Sequence, residues 1–90
     1  MPYEVKFRAP ARRALSEELP EVVAVAAFEF CVGALASNPQ RAGRRLDPPL
    51  ADYFSARRGT YRVVYSINEG ARLVHVEWIG HRSDVYRLRT

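Results

Sequence analysis

The chain has 90 residues, 48% of them apolar, and a formal net charge of +4 at pH 7. This length predicts one domain, residues 1–90, and excludes a multidomain enzyme. There is no apolar run near the roughly 20 residues of a membrane span and no apolar signal stretch after the start, so we expect a cytoplasmic protein without membrane contact. Cys31 is the single cysteine, which excludes a disulfide framework and a zinc thiolate cluster. We expect it to be a small buried side chain, and we expect no cofactor and no metal.

The positive charge is concentrated in the second half of the chain. Residues 41–90 contain ten arginines and five acidic residues, and only one of the fourteen basic residues of the whole chain is a lysine. A guanidinium can donate two parallel hydrogen bonds to neighbouring phosphate oxygens, so this composition favours a nucleic-acid partner. The alternative is an ordinary solvated surface whose arginine content reflects genomic base composition.

A strand and two helices are predicted for the N-terminal part. Residues 3–8 alternate apolar and charged side chains, which indicates a half-buried strand. Pro10 ends this strand and opens a short amphipathic helix over 10–18. A second helix is predicted over 21–36, and because its apolar residues surround it, we expect it to be covered on more than one side, by the sheet and by the neighbouring helix.

A basic loop and three strands are predicted for the remainder. Residues 38–52 contain three prolines, a glycine and three arginines, which is typical of an ordered loop with a function. The three strands are predicted over 53–58, 60–67 and 72–79, with turns at Gly59 and at 68–70. The predicted fold class is therefore α+β: an N-terminal strand, a two-helix hairpin, a three-strand antiparallel meander that completes a four-stranded sheet, and a short C-terminal helix or tail.

Alternation along the last two strands predicts which side chains face the helices. The residues expected on the helix side are Tyr61, Val63, Tyr65, Ile67, Val74, Val76 and Trp78. Arg62 is expected on the other face, together with His75, Glu77 and Ile79. We expect that second face to be open and polar.

Candidate chemistry lies at one end of this sheet, where arginines, an imidazole and a phenol are expected to meet. Arg62 is suited to binding phosphate oxygens, because a guanidinium keeps its proton throughout the physiological pH range and is a poor acid or base. His81 carries an imidazole, a side-chain type suited to general acid-base work near neutral pH, and Arg82 offers a second cation. Tyr86 can stack on a base or hydrogen-bond to phosphate. His81 and Arg82 reach one phosphate only if the chain turns, which Gly80 would allow.

Each of these residues also has a structural alternative. Arg62 can pair across strands with Glu77, Arg82 can cap the tail or bind Asp84, Tyr86 can be a packing residue and His81 a plain turn residue. The arginines expected to supply RNA affinity at the rim of the open face are Arg44, Arg45, Arg57 and Arg58.

Several short segments, taken in order and spacing, carry a family resemblance. They are Ala-Arg-Arg-Ala-Leu at 11–15, Asn-Pro at 38–39, Gly-Arg-Arg-Leu at 43–46, Ser-Ala-Arg-Arg-Gly at 55–59, Tyr-Arg-Val-Val-Tyr at 61–65 and His-Arg-Ser-Asp-Val-Tyr at 81–86. Together they resemble the RelE/ParE superfamily of bacterial toxins, and more closely its actinobacterial RelE branch.

The resemblance implies a type II toxin that enters the ribosomal A site and cuts mRNA there by metal-independent attack of the substrate 2′-hydroxyl. It implies an acidic RelB-like antitoxin as partner, with the ribosome and mRNA as targets, and action of the complex on operator DNA through the antitoxin. It places Arg62 at the scissile phosphate, Arg82 as a second cationic or acid-supplying residue, and Tyr86 as a C-terminal aromatic at the site. Where the best-studied branch has two strand lysines, this chain has Tyr53 and Ser55.

Two other functions are compatible with the sequence. The missing strand lysines favour a ParE-like toxin that poisons DNA gyrase by binding, without nuclease activity. The other alternative is a catalytically decayed toxin that only binds its antitoxin. The joint presence of Arg62, Arg82 and Tyr86 favours the nuclease.

Overall fold

The computed structural model describes residues 2–81, which form a mixed sheet with helices packed on one face. In chain order the elements are strand β1 (Glu4–Phe7), helix α1 (Ala9–Arg13) continuing as a π-helical segment (Ala14–Glu18), helix α2 (Glu21–Phe30) continuing as a second π-helical segment (Cys31–Leu35), helix α3 (Pro39–Ala42), and strands β2 (Arg44–Arg45), β3 (Phe54–Arg58), β4 (Tyr61–Asn68) and β5 (Leu73–His81). No helix within these residues combines the length and the apolar character needed to cross a membrane.

The sheet has the order β1-β5-β4-β3-β2. β1 runs parallel to β5, and the other neighbours are antiparallel. The predicted α+β class is confirmed, but the described sheet has five strands instead of four. The additional strand lies in the predicted loop, where Arg44 and Arg45 pair with Ser55 and Phe54. The predicted C-terminal helix or tail lies outside the described residues.

The sheet face predicted for Val74 and Val76 on β5 is confirmed, but the faces predicted for Trp78 and Ile79 are wrong. Val64 and Tyr65 are consecutive on β4, but their β5 partners, Trp78 and Val76, are not consecutive. This β-bulge adds one residue to β5 and reverses the alternation beyond it. Ile79 is therefore buried in the core, and Trp78 lies half-buried on the open face opposite Val64.

The core lies between the helices and one face of the sheet. Its members are Tyr3, Ala11, Ala14, Leu19, Ala27, Phe30, Cys31, Leu35, Phe54, Ala56, Tyr61, Val63, Tyr65, Val74, Val76 and Ile79. Cys31 is buried as predicted, and burial raises the pKa of its thiol to about 12, so the sulfur stays protonated at neutral pH.

Helix α2 packs against β4 of the sheet and against the segment Ala14–Glu18, and its outer side is exposed within the described residues. Ala27 and Phe30 face the core, whereas Val22 is 82% exposed and Val25 and Phe28 are about half exposed. The predicted cover by the sheet and by the neighbouring helical segment is therefore confirmed, but within residues 2–81 part of the apolar surface of the helix stays exposed. The exposed apolar side chains Val22, Val25 and Phe28 lie on the outer side of the helix.

Gly43 lies where β2 begins, against the backbone of β3. A Cβ atom at this position would come within 2.6 Å of both the Ser55 carbonyl oxygen and the Tyr65 hydroxyl, which donates a 2.7 Å hydrogen bond to the Pro39 carbonyl. We expect Gly43→Ala to lower the free energy of unfolding by about 1–3 kcal/mol, because a backbone carbonyl cannot move aside without disturbing the β2–β3 pairing.

Chemical denaturation of the two proteins measures this difference. Gly33→Ala is the matched control, since a Cβ there meets no atom within 4 Å and an alanine in the helical segment should stabilise it slightly. Equal stabilities of wild type and Gly43→Ala would contradict the close approach.

A hydrogen-bonded cluster joins the N-terminal residues to α3 and to the β4–β5 turn. The Tyr3 hydroxyl donates a 2.6 Å hydrogen bond to Glu69 Oε1, and the Gln40 amide donates to Glu69 Oε2 and, at 2.9 Å, to the Tyr3 oxygen. The Arg72 guanidinium lies 4.3 Å from the centre of the Tyr3 ring. The hydrogen bonds from Tyr3 and Gln40, with a smaller contribution from Arg72, lower the pKa of the Glu69 carboxyl.

We therefore expect Glu69→Gln to destabilise the protein at neutral pH and to have no effect in acid. A carboxyl whose pKa is lower in the folded state stabilises the fold above its unfolded pKa, here about 4.5, and this contribution disappears as pH falls through the folded pKa. Denaturant titrations of wild type and variant at pH 7 and at about pH 3 measure the difference. Glu18→Gln, at an exposed position, is the control. A wild-type advantage that persists unchanged in acid would contradict the linkage.

Candidate nucleic-acid interface

Arg62 lies on the face of the sheet opposite the helices. It is half-buried on β4, with Gly80 of β5 as its partner on one side and Arg57 of β3 on the other. The alternative pairing with Glu77 is wrong, because Glu77 accepts a 3.0 Å hydrogen bond from Ser66 and forms a 3.5 Å ion pair with Arg8.

Two like charges therefore face each other on adjacent strands. Side chains directly opposite on an antiparallel pair have Cβ atoms about 5 Å apart, and like charges in this position are destabilising. Within residues 2–81 neither Arg57 nor Arg62 has a carboxylate partner, and the Nε atom of Arg62 is buried without a hydrogen-bond acceptor. A polyanion that accepts hydrogen bonds from both guanidiniums would relieve the repulsion and supply the missing acceptors.

A third arginine belongs to the same surface. Arg44 pairs with Ser55, which precedes Arg57 by two residues on β3, so both arginines project from the open face on diagonal positions. Beside them is a pocket of about 570 Å³. It is lined by Ala42, Gly43, Arg44, Arg45, Leu46, Asp47, Ser55, Ala56, Arg57, Arg58 and Arg62, among which Asp47 is the one carboxylate. We call Arg44, Arg57 and Arg62 the arginine row.

The other two arginines predicted at the rim project from the helix side of the sheet. Arg45 pairs with the core residue Phe54, lies 4.8 Å from its ring centre, and donates a 2.6 Å hydrogen bond to the Ala51 carbonyl. Arg58 lies 4.6 Å from the ring centre of Phe30 and donates a 3.0 Å hydrogen bond to the Ala42 carbonyl. The structure thus divides the four predicted RNA-binding arginines, with Arg44 and Arg57 on the open face and Arg45 and Arg58 held against the core.

His81 and Arg62 lie at the same end of the sheet on opposite faces. β5 continues through Gly80 without the predicted turn, and His81 pairs with Tyr61, whose ring packs against Phe30 in the core. The register therefore places His81 on the helix side and Arg62 on the open side. The predicted meeting of this imidazole with Arg62 is not seen.

Gly80 is required by its contact with a neighbouring side chain and not by the predicted turn. A Cβ atom on Gly80 would lie 2.0–2.8 Å from three carbons of the Trp78 indole, so the ring extends along β5 and covers the glycine on the open face. Trp78 was predicted in the core, and the bulge that turns it outward has no clear signal in the sequence. Arg82 and Tyr86, the other predicted site residues, lie outside the described residues.

The described part of the interface is therefore a cationic and aromatic surface. It can bind phosphate through the arginine row and offers an indole beside it. Within residues 2–81 there is no group of three histidine, cysteine, aspartate or glutamate side chains able to hold a metal ion.

Comparison with known proteins identifies the class of this molecule. The fold superimposes with a TM-score of 0.88 on a chain in the crystal structure of the toxin-antitoxin complex RelBE2 from Mycobacterium tuberculosis, with 43% sequence identity over 93% of this chain and 95% of that one. The chain is also similar to Toxin RelG of M. tuberculosis, at 45% identity over 97% of this chain and 99% of the relative. Toxin RelE of the same organism is 46% identical over 97% of this chain and 89% of the relative. The class is that of the toxins of type II toxin-antitoxin systems.

The family follows from the model that matches the chain. Residues 5–86 match the family described as the ParE toxin of the type II toxin-antitoxin system parDE. The chain belongs to this family, within the RelE/ParE superfamily, and the resemblance stated from the sequence is confirmed.

Proposed function

We propose that this toxin is a ribosome-dependent mRNA endonuclease, which cleaves mRNA in the A site and thereby stops translation. The observation that carries the proposal is the pair of facing arginines, Arg57 and Arg62, on a sheet face that no helix of residues 2–81 covers, with no carboxylate partner among the same residues. Such an arrangement costs stability unless an anion binds there, and RNA phosphate is the anion that two adjacent guanidiniums fit well. Residues 1–90 act as one cytoplasmic domain in this proposal.

The chemistry requires only the RNA, the protein and solvent water. The 2′-hydroxyl loses its proton to water as its oxygen attacks the adjacent phosphorus, the bond to the 5′-oxygen breaks, and that oxygen takes up a proton, which leaves a cyclic 2′,3′-phosphate and a free 5′-hydroxyl. Arg62 donates to the non-bridging phosphate oxygens and stabilises the negative charge that grows on them. By the family resemblance, Arg82 is the second cation beside the leaving oxygen, and Tyr86 contacts the RNA as an aromatic.

Proton removal from the 2′-hydroxyl is the step that this site assists least. Tyr53 and Ser55 occupy the positions where the best-studied toxins of this superfamily have lysines, and neither side chain is a strong base at neutral pH. His81 lies on the opposite face from Arg62 and has no part in the proposal. We therefore expect the rate to come from alignment of the phosphate and stabilisation of its charge, with a smaller share from general-base catalysis.

The proposed partner is an acidic, RelB-like antitoxin. The similar RelBE2 structure is a toxin-antitoxin complex, which supports an antitoxin for this chain as well. An acidic segment laid over the arginine row would neutralise the facing guanidiniums and occupy the surface that RNA requires. The complex is proposed to act on operator DNA through the antitoxin.

Cell-free translation with primer extension tests the nuclease. Wild-type protein should produce 5′ ends within A-site codons of a translated mRNA and none in the same mRNA without ribosomes. Addition of the co-expressed antitoxin should abolish these ends. No cleavage in an assay where translation initiates normally would overturn the proposal.

A gyrase poison is the second candidate, and the observation that favours it is the matching family description, which names ParE. A DNA supercoiling assay with purified gyrase separates the two. Inhibition of supercoiling without mRNA cleavage would establish the second candidate, and inhibition of neither, with antitoxin binding retained, would indicate a decayed toxin.

A further inference from the structure

We propose that Trp78 is a stacking platform for the nucleobase next to the phosphate that Arg62 binds. The inference rests on the proposed RNA cleavage and adds to it a residue that selects and positions the base. It makes Trp78 a substrate-contacting residue of the open face, beside the arginine row.

The position of the indole is the first observation. Trp78 follows the β5 bulge, pairs with Val64, and is half-buried on the same face as Arg62. Its ring extends toward Gly80, which is the direct partner of Arg62 on the adjacent strand. Neighbouring strands lie about 4.8 Å apart, so the indole edge and the stem of Arg62 are close enough for one nucleotide to contact both.

The absence of a side chain on Gly80 is the second observation. Three indole carbons occupy the space where a Cβ atom would lie, so the ring lies along the strand and covers its backbone. In this orientation the glycine backbone supports one side of the indole. An aromatic ring held in this way loses little conformational entropy when a base stacks on it.

The third observation is that the Trp78 indole has neither a ring partner nor a polar partner within residues 2–81. Four of the five core aromatic rings pack in pairs, Phe30 with Tyr61 and Phe54 with Tyr65, and the fifth, Tyr3, lies against the Arg72 guanidinium. Within residues 2–81 Trp78 belongs to no ring pair, and its indole N–H has no hydrogen-bond acceptor. A tryptophan outside the core, on the same sheet face as three arginines, has the composition of a single-stranded RNA surface, where bases stack on aromatic rings and phosphates contact cations.

The first test removes each of the two stacking partners in turn, the indole from the protein and the base from the mRNA. Single-turnover cleavage is measured on ribosomes carrying an mRNA with a normal A-site codon or the same mRNA with one abasic nucleotide beside the scissile phosphate. Trp78→Leu should cut the normal mRNA about 10- to 100-fold more slowly, and Trp78→Phe should retain most of the rate. The abasic mRNA should slow wild type by a similar factor and slow Trp78→Leu no further, because the two changes remove one interaction.

Two further variants separate stacking from folding. Gly80→Ala keeps the indole but pushes it off the strand, and it should reproduce the loss seen with Trp78→Leu. Phe28→Leu, which removes an exposed aromatic ring from the helix side, should leave the rate unchanged. Circular dichroism and thermal melts confirm that each variant is folded.

Fluorescence supplies a readout that does not depend on cleavage. Trp78 is the only tryptophan of the chain, so its emission reports on this residue alone. Binding of a short single-stranded RNA, followed independently by the anisotropy of a dye on the RNA, should quench the emission in parallel with binding. The abasic RNA should quench it less.

The outcomes distinguish this inference from the proposed function. Cleavage and RNA binding with no quenching, and with equal rates for wild type and Trp78→Leu, would overturn the stacking and leave the nuclease intact. RNA binding with quenching but no cleavage would support the stacking and remove the nuclease. No RNA binding and no cleavage would overturn both.

Discussion

Replacing Arg62 with alanine is expected to slow mRNA cleavage by about 10²- to 10³-fold while leaving the fold and ribosome binding nearly intact. The guanidinium is proposed to donate to the phosphate oxygens on which charge develops, and its Nε atom is already partly removed from water without an acceptor within residues 2–81. A donor held in this way contributes more in the transition state than in the ground state, so its loss should lower the rate constant more than the affinity.

Lysine at this position should restore little of the rate. Its compact ammonium cannot donate two parallel hydrogen bonds to adjacent phosphate oxygens. Single-turnover cleavage of A-site mRNA compares the wild type with Arg62→Ala and Arg62→Lys, and Arg13→Ala removes one exposed positive charge from α1 as a control.

Stability provides an independent check on the same residue. Because Arg57 and Arg62 face each other, removing one should relieve repulsion, and the unfolding free energy of Arg62→Ala should stay within about 1 kcal/mol of the wild type. A folded Arg62→Ala protein that cuts at the wild-type rate would place the active site elsewhere.

The second large effect concerns Arg44 and Arg57, the members of the arginine row on β2 and β3. The double variant Arg44→Ala, Arg57→Ala is expected to lose about 10²-fold in affinity for RNA at low salt, because each charge-assisted hydrogen bond to phosphate contributes roughly 1.5–3 kcal/mol, part of which is recovered by water. The dependence of log affinity on log salt should become shallower by about 1.4–1.8, corresponding to two lost phosphate contacts.

The structure offers a matched control with the same loss of charge. Arg45 and Arg58 also line the pocket, but their guanidiniums are held on the helix side by Phe54 and Phe30, so the double variant Arg45→Gln, Arg58→Gln should change the salt dependence less than Arg44→Ala, Arg57→Ala does, while lowering stability. Anisotropy titrations of labelled RNA over a range of salt concentrations measure both variants. A slope that responds equally to the two double variants would mean that net charge, and not the open face, governs binding.

The order of strands and helices could be predicted because it depends on local patterns. The alternation of residues 3–8, the prolines at 10 and 20, and the turns at Gly59 and 68–70 act through neighbouring residues, and the structure has β1, α1, α2, β3, β4 and β5 close to the expected places. Arg62 on the face away from the helices follows from the same alternation within β4. The family resemblance, which depends on several spaced segments together, is confirmed by the matching family model.

The division of the arginines into two pairs depended on strand pairing. Arg44 and Arg45 lie in a predicted loop, and no local pattern shows that they form a two-residue strand against Phe54 and Ser55. Once that pairing exists, alternation sends Arg44 to the open face and Arg45 to the core side, where an aromatic ring lies within reach of it.

The sheet face on which each side chain at the end of β5 lies depends on strand register, which exists only in the assembled sheet. A β-bulge is chosen by how two distant strands align, since a single residue more or less exchanges the faces of every residue beyond it. That exchange buries Ile79, turns Trp78 to the open face and places His81 across the sheet from Arg62. The sequence by itself therefore determined the elements, the family and the cationic character of the surface. Which side chains share that surface was decided by the tertiary structure, because strand register is a non-local property.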